Sequence, residues 1–144
     1  MRYMMFIKHT EDYRMEEVPQ SLFDAMGEFV GESMKSGAIV SNGTDAPVED
    51  VDPIANYYAT VSRKTKDGRV FYPDQRMSRM EALKSYTLNG AYAAFEESSR
   101  GSLKVGKLAD MAVLSKDITT IAEDQIPTVQ VTYTIVGGKV LYKR

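Results

Sequence analysis

The feature that most constrains the fold lies near the end of the chain. Residues 128–136, TVQVTYTIV, alternate apolar and polar, with Val129, Val131, Tyr133 and Ile135 on one face. A period of two belongs to a half-buried strand. Gly137-Gly138 follows at once, and residues 139–143 return as an apolar-containing run. Two adjacent glycines supply the positive φ angles that a two-residue hairpin turn needs. The chain should therefore end in an antiparallel hairpin, and residues 111–114, MAVL, add another short strand.

Upstream the period changes. Val18, Leu22, Met26, Phe29, Val30 and Met34 recur at helical spacing. Pro19 suits the first turn and Gly37 the position just past the end. This predicts a helix over 18–36 with Phe29 in its core-facing stripe. The apolar runs YMMFI (residues 3–7) and AIV (residues 38–40) read as strands on either side. Residues 54–61 read as a helix and residues 64–74, which contain Asp67-Gly68 and Pro73, as a loop. Ser78 with Glu81 three positions on forms a capping-box signature. It opens a helical stretch that breaks near Asn89-Gly90 and resumes to Phe95. The fold class is α+β: a strand-helix-strand front, a helical middle and a C-terminal antiparallel hairpin. At 144 residues the chain fits one compact domain.

Composition narrows the function classes. The chain has no cysteine and one histidine, so thiolate chemistry and disulfides are out. A formal net charge of −2 gives no pull toward nucleic acid or an anionic membrane. The opening MRYMMFIKHTED is too short an apolar run for a secretory signal, and no stretch approaches a membrane span. A cytoplasmic location is the expectation.

The stretch GTDAPVEDVDP (residues 43–53) then raises a chemical question. With YYATVSRKT, RMSRMEALKSYTLNGAYAAFEE, GSLKVGKLADMAVL and TIVGGKVLYKR it resembles, in order, the C-terminal end of the amidohydrolase superfamily. The resemblance runs from about Val40 to Arg144. It implies that Asp45 descends from a metal-binding, proton-accepting carboxylate at the end of the last barrel strand. It also implies a partner set of histidines and a bridging lysine upstream, for which this chain has no positions. The first 38 residues instead resemble the opening of the YCII-related family, through IKHTEDYR and DAMGEFVGE. Those are small ferredoxin-like proteins that pair into dimers. The combined reading is a chimera: a YCII-like segment over 1–38 and an amidohydrolase-like segment over 39–144, joined near residues 37–41.

Three residues are candidates for chemistry. Asp45 is a general base or metal ligand by resemblance; alternatively its side chain caps the turn that follows, since one carboxylate makes a poor metal site. His9 is the one imidazole, suited to carry protons near neutral pH, and the YCII-like resemblance implies a site role for it and, more weakly, for Asp12. Its bland alternative is an exposed residue at a strand end. If residues 3–7 and 38–42 pair in parallel, His9 and Asp45 meet at one sheet end, where open α/β sheets bind ligands. They could then act as acid and base or hold a divalent metal such as zinc. Arg63 and Lys64 could hold an anion but read better as solvated charge. Tyr57, Tyr58, Tyr86 and Tyr92 read as packing residues, the nine methionines as core fillers, and Lys107 and Asp110 as structural.

These readings leave two function classes. One is a small hydrolase of weak, broad activity on activated esters, amides or phosphoesters. The other is a non-catalytic oligomeric fusion protein. In either case the tail strands lack the neighbours implied by the resemblance. Incomplete fragments of two families would be completed by self-association, most simply as a dimer with exchanged elements. Beyond itself, the only partner expected is a small-molecule substrate, with neither nucleic acid nor membrane.

Overall fold

The structure is a computed structural model. It describes Ser21, Asp24, Ala25, Glu28, Phe29, Glu32, Lys35 and all of residues 36–144. The chain divides into two compact units, Met1–Ile39 and Val40–Arg144.

In the first unit, the described residues between Ser21 and Lys35 are helical. Phe29 is 52% exposed, which departs from the core position expected for it. The side chains of Leu22, Met26 and Val30, and the strand expected over 3–7, lie outside the described residues.

Residues 38–40, expected as a strand, pair with no strand among the described residues. Helix α1, Pro53–Ser62, has both start signals of its type. Asp52 accepts from the amides of Ile54 (2.9 Å) and Ala55 (3.2 Å), and Pro53 fills the first turn, where a missing N–H costs nothing. Its Tyr57 and Val61, four residues apart, share the buried face. Arg63 ends it in the left-handed region at φ 54°.

Helix α2, Arg79–Tyr86, opens with a complete capping box: Ser78 accepts from the Glu81 amide and Glu81 accepts from that of Ser78. It buries Ala82 and Ser85. The break comes at Thr87, earlier than the Asn89-Gly90 pair suggested, because Thr87 turns to φ −127°, ψ −89°. Its hydroxyl donates back to the Leu83 carbonyl at 2.7 Å. Helix α3, Leu88–Ala93, follows at once.

The core joins these helices to a 3-10 segment, Glu123–Thr128, whose Ile126 is fully buried. Tyr57, Val61, Met77, Ala82, Ala91, Ile118 and Val129 complete it. Among the described methionines, Met77 serves as core filler, whereas Met80 is half exposed. Arg79 clamps the core from its edge, donating to the carbonyls of Ile118 (2.6 Å) and Ile121 (3.0 Å).

The sheet has three antiparallel strands in the order β1-β2-β3: β1 Met111–Leu114, β2 Val131–Val136 and β3 Lys139–Lys143. Val129 of the alternating run lies before β2 and is buried beside the 3-10 segment rather than in the sheet. Gly137 (φ 56°) and Gly138 (φ 77°) make the β2–β3 turn. Asp110 holds that turn by accepting from the Gly137 amide at 2.7 Å. No helix among the described residues is long and apolar enough to cross a membrane.

Candidate functional site

Asp45 lies after a stretch that no sheet among the described residues supports, and helices hold it. Four hydrogen bonds do so. Asn89 of α3 donates its side-chain amide to the Val40 carbonyl at 2.8 Å. The Asn42 amide donates to the Ser85 carbonyl at 3.1 Å, and its side-chain amide donates to the Ser85 hydroxyl at 2.9 Å. Asn56 of α1 donates to the Gly43 carbonyl at 2.6 Å. The Ser85 hydroxyl is itself oriented, donating to Ala82 at 2.7 Å, which leaves its lone pairs facing Asn42.

A second hydroxyl extends the network. Thr60 donates to the Asn56 carbonyl at 3.0 Å and lies 3.2 Å from the Tyr86 hydroxyl. Burial pushes the Tyr86 phenol above its ordinary value of 10.0, with the Thr60 bond opposing. Tyr86 therefore stays neutral and serves the network as a hydroxyl.

Two residues beyond the last strap, Asp45 sits at φ 55° and is exposed. Asp is among the few non-glycine residues that tolerate this region. Its main-chain carbonyl, rather than the side chain expected to cap the turn, accepts from the amides of Val48 (2.9 Å) and Glu49 (3.4 Å). The carboxylate therefore stands at a bend on a fixed base.

His9 and Asp12 lie outside the described residues. The strand over 3–7 whose parallel pairing with 38–42 was to bring His9 beside Asp45 also lies outside the described residues. Among the described residues no group of three or more His, Cys, Asp or Glu could hold a metal ion. The described donors therefore do not fit a divalent metal at Asp45.

Arg63 donates through Nε to the Phe71 carbonyl at 3.0 Å, and its guanidinium lies 5.6 Å from the centre of the Phe71 ring. Burial lowers its pKa below the usual guanidinium value. Lys64 lies 3.8 Å from Glu123 in a solvated pair. Tyr57 is core, its hydroxyl donating to the Arg79 carbonyl at 3.0 Å.

Sequence reasoning missed Asn42, Asn56, Ser85 and Asn89. Asn89 was read only as part of a helix break. No spacing rule links it to a carbonyl 49 positions away.

Comparison with known proteins places this arrangement. The amidohydrolase family matches residues 8–142. N-substituted formamide deformylase of Arthrobacter pascens is 33% identical over 111 residues, covering 77% of this chain and 20% of that protein. Protein LONG AFTER FAR-RED 3 of Arabidopsis thaliana is 36% identical over 111 residues, covering 76% of this chain and 19% of that protein. A crystal structure of an amidohydrolase from Thermotoga maritima superposes with a TM-score of 0.60 at 20% identity, over 82% of this chain and 26% of that one. That likeness is one of fold. The chain spans about a fifth of the length of these curated relatives. With the family match covering nearly all of its residues, the chain belongs to the amidohydrolase family.

Proposed function

We propose that the chain is a small hydrolase of weak, broad activity on activated esters, amides or phosphoesters, with Asp45 as its working carboxylate. The observation that carries this reading is the placement of Asp45, exposed at a bend whose approach is strapped to α1, α2 and α3. An ionised carboxylate there accepts a proton from water as that water attacks the substrate. Positioned proton transfer of this kind contributes about 10²–10⁴-fold. His9, the chain's one imidazole, is proposed as a second proton carrier on its sequence alone, with Asp12 a lesser candidate. A metal has no step in this reading, because the described donors do not fit one.

The test is hydrolysis of 4-nitrophenyl acetate by the parent, Asp45→Asn and His9→Ala, with and without a chelator. Asn tolerates the backbone at position 45, so Asp45→Asn removes charge without adding strain. A fall in rate for Asp45→Asn, insensitive to chelator, is the expected result. An unchanged rate in folded protein, or complete loss on chelation, would sink the reading.

The competing reading is a non-catalytic oligomeric fusion. The amidohydrolase match over residues 8–142 runs across Ile39/Val40, so it lends no support to a YCII-like segment joined there. Val140, Leu141 and Tyr142 on β3 are 56%, 68% and 46% exposed, which supports self-association through the sheet. Light scattering tests that part: a stable monomer at micromolar concentration counts against a dimer with exchanged elements.

A further inference from the structure

We infer that Asn56 and Asn89 are positioning residues, which fix the approach to Asp45 in place of a sheet. The inference rests on the reading of Asp45 as the working carboxylate. A strand inside a sheet has its backbone held by ladder bonds on its flanks. Among the described residues the 40–43 stretch has none of these, and its tethers come from helices instead. Asn89 takes the Val40 carbonyl, Asn56 takes the Gly43 carbonyl, and Asn42 is held between them by Ser85. Both ends of the stretch are thus tied by side-chain amides from different helices, α3 and α1. Only Thr44 separates the second tie from Asp45.

An amide suits the task because it donates without charge. A carboxylate of the same shape at position 56 or 89 would set an acceptor against a carbonyl, turning a tether into a repulsion. Asn89 is half-buried in α3 and bears on packing as well as on the tether. Asn56 reaches Gly43 at the surface, so its removal leaves the core of Tyr57, Ala82 and Ile126 intact.

The experiment uses the full chain with Asn56→Ala, Asn56→Asp, Asn89→Ala and Asp45→Asn, each checked by circular dichroism. The first readout is the NMR order parameter of the Thr44 and Asp45 amides. It should fall from near ~0.85 toward ~0.6 in the Asn56 variants. The second is hydrolysis of 4-nitrophenyl acetate. There kcat should fall about ten- to a hundredfold with KM unchanged, since misplacing a reacting group by an ångström costs on that order. Asn56→Asp should behave like Asn56→Ala. If Asn56→Asp matches the parent in both readouts, the tether is overturned. If Asn89→Ala does not fold, the Asn56 pair decides alone. Loosened amides with a rate indifferent to Asp45→Asn would uphold the straps and overturn the hydrolase reading. A rate that depends on Asp45, with order and kcat unmoved in the Asn variants, would do the reverse.

Discussion

Asn89 donates its side-chain amide to the carbonyl of Val40 at 2.8 Å, across 49 positions of sequence. This bond ties the start of the Asp45 approach to α3. It belongs to a packing scheme in which helix ends, rather than sheet neighbours, hold irregular backbone, and other positions in that scheme yield measurable consequences.

Gly101 stands where the chain after α3 passes closest to the helices. A Cβ built there lies 2.6 Å from Ala91 Cβ and 3.1 Å from Leu88 Cα, and φ is +83°. Gly101→Ala therefore meets both a clash and an unfavourable backbone. The left-handed region costs about 1–2 kcal/mol and overpacking about 1–3 kcal/mol. Urea unfolding should show a loss of roughly 2–5 kcal/mol from these two terms. A midpoint within error of the parent would mean that this approach is looser than it stands.

The capping box sets a pH dependence. The Ser78 hydroxyl and then its main-chain amide bond Glu81, lowering that carboxyl from its ordinary 4.5. A carboxyl whose folded pKa is depressed adds stability above its unfolded pKa, and that stability is lost as pH falls through the folded value. The start of α2 should accordingly weaken below pH 4.5. In Ser78→Ala the Glu81 titration, followed by carbon NMR, should move back up, and stability at neutral pH should drop by about 0.5–2 kcal/mol. No movement of the titration would show that Ser78 does not bond the carboxylate in solution.

Lys107 ties the turn that follows α3. Its ammonium donates to the carbonyls of Glu97 and Arg100 and to the Ser102 hydroxyl, with the last two at 3.1 and 2.8 Å. Lys107→Met keeps the length of the side chain and removes the donors. Carbonyls that lose a partner cost about 1–3 kcal/mol if water cannot replace it. Thermal unfolding should report that loss, and faster amide exchange should be confined to residues 97–108. Exchange rising evenly over the whole unit would argue for a general packing effect instead.

Local rules account for what could be read from the sequence. Asp52-Pro53, Ser78 with Glu81, and Gly137-Gly138 each act within a few residues, through a cap, a capping box and a turn. A bond closed over so short a loop needs no knowledge of the rest of the chain. The sequence by itself therefore determined α1, the start of α2 and the β2–β3 hairpin. It pointed to Asp45 through resemblance, yet placed it at the end of a strand. The apolar run at 38–40 has strand composition, but it pairs with no strand among the described residues, and composition alone makes no ladder. Only tertiary structure decided what holds Val40, Asn42 and Gly43, because Asn89, Ser85 and Asn56 are polar residues on helices that exist for other reasons. Hydrogen bonds between such distant partners leave no periodic trace in a sequence. They become visible once burial of Tyr57, Ala82 and Ile126 has brought the helices together.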